Sequence, residues 1–395
     1  MVALDKHGHV SAWMGPYEVR ALGEVAEKFF ATEINSERER WEREHLIDRS
    51  VWRKAGDLGL LCCAIPVEYG GGGGTLAHDF VVMHEQARAN LLGWGGGQHS
   101  VIDAHYVLAY GTEAQKRRWL PPMASGEAIS AIGMTEPGAG SDLKALATRA
   151  MRQPGGDYLI SGSKTFISQG SSADLLILAA KTDADAGARG ISLFLLDTNG
   201  LAGFSRGRVL RKSGQHYADT SEMFFDEVRV PADWMLGERE NQGFSQLMDQ
   251  LPQERLTVGV AGAAMIEKAV EETVAYALQR RMFGETLFDL QHPRFELAEC
   301  ATLAQVVRVF VDSCIDRCLA GTLDTATASM AKYWVSDIQC QVIDRCLQLH
   351  GGYGYTQEYL IGQMWTDSRV TRIYGGANEV QKELIARSLR SHGAP

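Results

Sequence analysis

The stretch MTEPGAGSD, Met134–Asp142, is where the character of the chain changes. Pro137, Gly138 and Gly140 punctuate it too densely for a helix or a strand, so it forms a turn. Thr135, Glu136 and Ser141 share that turn, so hydroxyls and backbone N–H groups are presented together to a polar body such as a heteroaromatic ring with its phosphates. Taken alone, the stretch fits a surface loop equally well. What flanks it decides between the two.

Upstream, from about Tyr17 to Ser125, the periodicity is helical. VWRKAGDLGLL (Val51 to Leu61) places apolar residues three and four apart and stops near the turn at Pro66. The glycine run Gly70 to Gly74 has the look of a phosphate cradle, but no Lys-Ser/Thr follows it, so it reads as a connecting loop. A second cluster, Gly93 to Gly97, separates two further helical stretches. Downstream, from Ala131, the period becomes two. DYLISGSKTFIS reads as two short strands around a turn at Gly162, and LLILAAKT (Leu175 to Thr182) as one continuous apolar strand. GISLFLLD and SEMFFDEVRV follow, with connections too short for crossover helices, so the block ending near Pro231 is mainly antiparallel. From about Gly243 the helical period returns. Cys300, Leu303, Val307, Phe310 and Cys314 form one apolar stripe, and a helix from about Ala326 ends at His350 before Gly351 and Gly352. Long helices with one wide apolar face each imply a bundle.

The 395 residues are 45% hydrophobic and 22% charged, ordinary for a globular protein of two or three folding units. A net charge of -10, with a pI near 5.6, argues against nucleic acid or an anionic membrane surface as partner. No apolar run reaches the roughly 18 residues that span a bilayer. MVALDKHGHVSAWMG shows neither a signal-peptide nor a transit-peptide pattern, so a cytoplasmic, bacterial address is expected. Seven scattered cysteines read as buried free thiols, with no disulfide and no metal set expected.

Six windows occur together in order: PVEYGG (Pro66 to Gly71), MTEPGAGSD, GSKTFIS (Gly162 to Ser168), DEVRVP (Asp226 to Pro231), RRMFGETLFDLQ (Arg280 to Gln291) and QLHGGYGY (Gln348 to Tyr355). In this order and spacing they resemble the acyl-CoA dehydrogenase family over nearly the whole chain. The resemblance implies an α+β fold: an N-terminal α-helical domain (1–130), a small antiparallel middle β-domain (131–242) and a C-terminal four-helix bundle (243–395). It implies FAD as cofactor, with Thr135 and Ser168 hydrogen-bonding the flavin ring near its reactive edge and Phe166 against the ring's face. Ser141 matches a position touching the acyl-CoA or the cofactor. Arg280, Phe283 and Gln291 match residues that reach the FAD of a neighbouring subunit, and Gln348, Gly351 and Gly352 lie along its pyrophosphate. Met134, Gly140, Ala377 and Glu379 complete the cofactor set that the resemblance implies. An arginine pairs well with phosphate, and glycines allow backbone N–H groups to approach it. The family forms homotetramers, dimers of dimers, and passes electrons to an electron-transfer flavoprotein; both are implied here.

The reaction implied is oxidation of a saturated acyl thioester to the trans-2-enoyl thioester, which needs a carboxylate beside Cα. Many relatives carry that base as Glu in a Tyr-Glu-Gly-Thr segment. Here the segment reads IYGGANEVQ (Ile373 to Gln381), with Gly375 at the Glu position. A minority branch, typified by the long-chain and isovaleryl enzymes, places the Glu on a bundle helix. LPQERL (Leu251 to Leu256) and IYGG both resemble the long-chain branch, so Glu254 is the candidate base. Gly375 then opens space over the α-carbon while its N–H stays available to the thioester oxygen. Arg255, Ser141 and Gly375 are the candidate substrate contacts. An apolar setting would raise the pKa of Glu254, whereas pairing with Arg255 would make it merely structural.

Three positions depart from the family pattern: Gln363 for Arg or Lys, Ala377 for Thr or Ser, and Leu360 for Pro. Asp367 and Arg369 fit it and are expected to form a structural ion pair. The acyl tail is expected between the first helical domain and the bundle, where Gly93 to Gly97 would leave room for a medium, long or branched chain. The alternatives are a non-catalytic paralogue that binds flavin or acyl-CoA, favoured by Gly375 and Ala377, and an acyl-CoA oxidase or flavin monooxygenase on the same fold.

Overall fold

The structure, a computed structural model, describes residues 11–34 and 36–392. Residues 1–10, where no leader pattern was expected, lie outside the described residues. Helices come first: α1 (Tyr17–Phe29), α2 (Arg38–Glu44), α3 (Arg49–Asp57), α4 (Leu76–Arg88), α5 (Ala104–Tyr110) and α6 (Glu113–Ala124). Local chemistry sets their ends. Thr112 caps α6 in a reciprocal box with Gln115, each satisfying an N–H that the helix leaves unpaired. Phe30, Trp41, Trp52 and Trp94 fill the core of this unit. The glycine run Gly70 to Gly74 is no phosphate cradle. The N–H groups of Gly72, Gly73 and Gly74 already donate to the carbonyls of Cys62, Ile65 and Cys63.

The strands follow: β1 (Ser130–Gly133), β2 (Arg149–Arg152), β3 (Tyr158–Ser168), β4 (Leu175–Lys181), β5 (Ile191–Asp197), β6 (Phe204–Val209) and β7 (Thr220–Val230). The sheet order is β1-β4-β2-β3-β7-β6, with β5 on the other side of β4. Most pairs are antiparallel, but β1 runs parallel to β4, and so does β2 at its single pairing. Buried along nearly its whole length, β4 has no polar alternation. One reading from sequence is corrected here. Tyr158–Ser168 is a single strand, and Gly162 marks a register shift within it rather than a turn. A Cβ at Gly162 would lie 2.5 Å from Thr148 Oγ1, so a glycine is needed where the strand bulges against its neighbour.

The bundle opens with α7 (Gly243–Gln279), 37 residues long or about 55 Å at 1.5 Å per residue. A short hairpin, β8 (Arg281–Met282) and β9 (Glu285–Thr286), leads to α8 (Gln291–Leu319), α9 (Thr325–His350), α10 (Leu360–Ser368) and α11 (Asn378–His392). Asp324 caps α9 by accepting from the N–H groups of Ala326 and Thr327, both at 2.9 Å. The α8 stripe packs inward as expected, with Cys300, Val307 and Cys314 buried. On α7, Gly262 lets α9 approach: a Cβ there would be 2.7 Å from Val335 Cγ1. No described helix is long and apolar enough to cross a membrane.

Two further expectations are corrected. Gly93 to Gly97 leave no empty room, because added Cβ atoms would meet Ala218 at 2.7 Å, Gln169 at 1.9 Å, the Trp94 ring at 2.3 Å and Met83 at 2.9 Å. The run is glycine-rich because its neighbours already fill the space. Asp367 does not pair with Arg369. It takes Arg38 Nη2 at 3.1 Å, Asn90 Nδ2 at 3.0 Å and the N–H of Gln215. That buried knot joins the first helical unit, the sheet unit and the bundle.

Candidate active site

Glu254 lies on α7 with its carboxylate buried at 7% exposure. The Tyr106 hydroxyl, on α5, donates to its Oε1 at 2.6 Å. Burial pushes the carboxyl up to about 7, partly opposed by the Tyr106 hydrogen bond and by the charge of Arg255. That value suits a base working near neutrality. Asp103, one turn before Tyr106 on the same stretch of helix, is itself pushed up to about 8 by burial and is held by Ser130 Oγ at 2.8 Å. Arg255 does not close an ion pair with Glu254. Successive helix positions diverge by 100°, and Arg255 Nε and Nη1 are buried with no hydrogen-bond partner among the described residues. Two orphaned guanidinium nitrogens in a buried place are what an anionic or carbonyl-bearing ligand satisfies.

Gly375 faces the same space. It has φ +64, and a Cβ there would lie 3.5 Å from Val258 Cγ2, one helical turn beyond Glu254, and 3.8 Å from Lys332 Cε. A Cβ there would make ordinary van der Waals contact, so it is the positive φ rather than crowding that calls for glycine. Gly375 thus packs against α7 one helical turn beyond Glu254.

The flavin-side residues form a second set on the sheet unit. Within MTEPGAGSD, Glu136 turns inward. Its carboxylate accepts from the N–H groups of Ala147 (2.6 Å) and Thr148 (3.0 Å) and from Lys164 Nζ (2.8 Å), which also donates to the Met134 carbonyl (3.0 Å). This buried pair holds the turn from beneath, and the Thr165 N–H ties it to β3 through the Thr135 carbonyl at 3.0 Å. The other face stays open. Added Cβ atoms at Gly138 and Gly140 would meet nothing within 4 Å, and Ser141 is exposed. Phe166 stands beside Thr135 on β3 at φ +58 and 66% exposed, where the strand slips register. A strained, exposed aromatic next to free hydroxyls fits a ring docked on this face. Ser168, paired with Thr220, closes the same edge.

A third set lies at the far end of the bundle. Arg280, Gly351 and Gly352 line one groove of about 400 Å³ with Tyr276, His350 and Tyr353. Added Cβ atoms at Gly351 and Gly352 would meet open space, and His350 Nδ1 is buried without a partner. Gln348 lies in the last turn of α9, two residues before His350 of this groove, and Gln291 begins α8. Phe283 sits at the β8–β9 tip, φ +52 and 90% exposed. Ala377 precedes α11 and Glu379 lies in its first turn, with no hydroxyl at 377. Arg280 follows Glu254 by 26 positions, about 39 Å along the helix, so this groove lies far from Glu254. The residues present fit FAD: an arginine and open glycine backbone for phosphates, and an open turn with Phe166 for the ring.

Sequence reasoning missed Tyr106, Lys164 and a polar stripe on α9. Lys332, Ser336 and Gln339 are all fully buried on that helix. Their spacing of four and three was a readable signal, since polar residues rarely hold an inward face without a task.

Three acyl-CoA dehydrogenase domain families match the chain: the N-terminal domain at residues 16–127, the middle domain at 131–228 and the C-terminal domain at 241–390. The mitochondrial long-chain specific acyl-CoA dehydrogenase of Mus musculus is 46% identical over 93% of this chain and 85% of that protein. The acyl-CoA dehydrogenase of Geobacillus kaustophilus superposes with a TM-score of 0.92 at 41% identity, over 95% of this chain and 98% of that one. A glutaryl-CoA dehydrogenase of Mycobacterium smegmatis, solved with FADH2, gives 0.88 at 25% identity over 96% of both chains. The chain belongs to the acyl-CoA dehydrogenase family and is an FAD-dependent acyl-CoA dehydrogenase.

Proposed function

We propose that Glu254 is the base that removes the α-proton of a saturated acyl-CoA, giving the trans-2-enoyl-CoA. The observation that carries this reading is a carboxylate buried to a pKa of about 7, oriented by Tyr106, one turn from the residue that faces Gly375. FAD, held by the residues named below, would supply the two-electron oxidation at Cβ. The chain's own residues do the rest. Tyr106 holds Glu254 through its Oε1, and burial keeps bulk water from the carboxylate. Gly375 leaves room above Cα and offers its N–H to the thioester oxygen, while Arg255 presents its two orphaned nitrogens to the same ligand.

For the cofactor, Met134, Thr135, Gly140, Ser141, Phe166 and Ser168 would hold the ring end. Arg280, Phe283, Gln291, Gln348, Gly351, Gly352, Ala377 and Glu379 would serve a neighbouring protomer. The exposure of Phe283 supports contact with a second copy of the chain, in keeping with the homotetramer, a dimer of dimers, that the family resemblance implies. The likeness to long-chain relatives supports a medium- or long-chain or branched acyl group, and the likeness to a chain solved in work on the electron transferring flavoprotein of Acidaminococcus fermentans supports such a flavoprotein as acceptor. We take 1–130, 131–242 and 243–395 as the three units.

Anaerobic addition of saturated acyl-CoAs of increasing length to the yellow holoenzyme tests the reading. Flavin absorbance should bleach, fastest for the longer or branched chains. A protein that binds acyl-CoA and stays yellow would be a non-catalytic paralogue, and stoichiometric peroxide on admitting air would mark an oxidase.

A further inference from the structure

The chemistry above leaves one buried cation without a task. Lys332 is fully buried in the middle of α9 among Ala328, Ala331 and Val335. Its Nζ donates to Asn378 Oδ1 at 2.8 Å. Asn378 Nδ2 donates in turn to Ser336 Oγ and Asp337 Oδ1, each at 3.0 Å, and Asp337 accepts from Arg372 Nε at 2.6 Å. Both ends of the turn from Ile373 to Ala377 are thereby tied to α9. Inside the turn, Gln381 Nε2 donates to the carbonyls of Gly375 and Gly376, at 3.0 and 3.2 Å. A turn with two successive glycines at φ +64 and +83 has little stiffness of its own, so these contacts fix it.

Beneath the turn runs the Lys332 side chain, with Cε 3.8 Å from the position a Gly375 Cβ would take. A neutral donor would anchor Asn378 equally well, and burying an ammonium is costly. Asp337 is already paired with Arg372 and Glu379 is exposed on α11, so the charge has a further use where negative charge develops beside the turn. We infer that Lys332 is an electrostatic positioning residue: its ammonium, held behind the Gly375 turn by Asn378, stabilises the enolate oxygen that forms when Glu254 takes the α-proton. This rests on the dehydrogenation reading given above. In that step the Cα–H bond breaks, its electron pair passes into the enolate, the proton goes to Glu254, and Lys332 keeps its own protons throughout.

The electrostatics are consistent with a cation at neutral pH. Burial lowers Lys332 to about 8, with Asp337 on α9 and Glu379 on α11 opposing that shift and Arg255 on α7 and Arg372 adding to it. Glu254, hydrogen-bonded by Tyr106 and within range of the Arg255 charge, lies at about 7. Enolate formation therefore needs Glu254 ionised and Lys332 still protonated.

The test uses the holoenzyme and a 3-thiaacyl-CoA. The sulfur acidifies the α-proton and replaces the carbon that would give up hydride, so the ligand stops at the enolate, whose long-wavelength absorbance against oxidised flavin measures the deprotonated fraction. In the wild type that band should rise as pH passes about 7 and fall as it passes about 8. Lys332→Met should weaken it by about tenfold or more between pH 7 and 8 and remove the alkaline fall, with a smaller change in ligand affinity. Lys332→Arg should keep the band above pH 8. A wild-type band and pH profile in Lys332→Met, or a band lost only in proportion to ligand binding, overturns the proposal. If Lys332→Met does not retain flavin, Lys332→Arg decides alone, and an unchanged alkaline limb overturns it. A wild type that binds the ligand with no band at any pH overturns the dehydrogenation reading itself, and this proposal with it.

Discussion

Two buried carboxylates, Glu254 and Asp367, are 7% and 3% exposed, and each has an arginine close by, yet they are built for opposite ends. Asp367 uses both oxygens: Oδ2 takes Arg38 and Asn90, and Oδ1 takes the Gln215 N–H. Arg38 is matched in return, with Glu42 at 2.9 Å, the Asn90 carbonyl at 3.1 Å and the Tyr217 ring 4.9 Å away. Glu254 accepts one protein hydrogen bond, from Tyr106, and Arg255 beside it keeps two nitrogens unmatched. Burial raises both carboxyls. A saturated carboxylate is a structural joint; one left half satisfied beside an unmatched cation is waiting for a substrate.

Mirror-image variants can break that comparison. Asp367→Ala leaves Arg38 buried and short of its counter-charge and should cost about 3–5 kcal/mol of stability by denaturant unfolding, with the rate per FAD-bound site unchanged. A stability close to wild type would remove the contrast. Glu254→Gln should do the reverse. Because burial raises the Glu254 pKa from 4.5 to about 7, the folded state loses stability as pH rises through that window. Replacing the acid with a neutral amide should therefore stabilise the protein by up to about 3 kcal/mol at pH 8 and by almost nothing at pH 4.5. Thermal melts at the two pH values measure the difference, and an equal shift at both would point to packing instead. The smallest effect is expected from Tyr106→Phe. Its hydroxyl favours the ionised form of Glu254, so losing it should move the acid limb of kcat/KM upward by about one unit. An acid limb that stays in place would show that Tyr106 does not orient the base.

How much of this was legible in the sequence follows from how local each signal is. The order of helices, strands and helices could be read because periodicity is a property of neighbours, and α7 begins at Gly243 where the period changes. MTEPGAGSD could be read as an open polar turn for the same reason. The parallel pairing of β1 with β4 could not, since forty-odd positions separate the partners and nothing in either strand names the other. Nor could Tyr106, 148 positions from Glu254, or Arg38, 329 positions from Asp367. The pairing of Asp367 with Arg369 failed on that account: a close charge in sequence was preferred to a distant one that packing selects. The glycines at 93–97 failed differently, because a glycine marks either free space or a close neighbour, and only the packing distinguishes them.

The central claim is that Glu254 takes the proton, and the rate of flavin bleaching in a single anaerobic turnover measures that step without interference from electron transfer. Glu254→Gln should retain FAD, bind acyl-CoA and stay yellow at least about 10²-fold longer than the wild type on mixing. Bleaching at the wild-type rate in that variant would contradict the account.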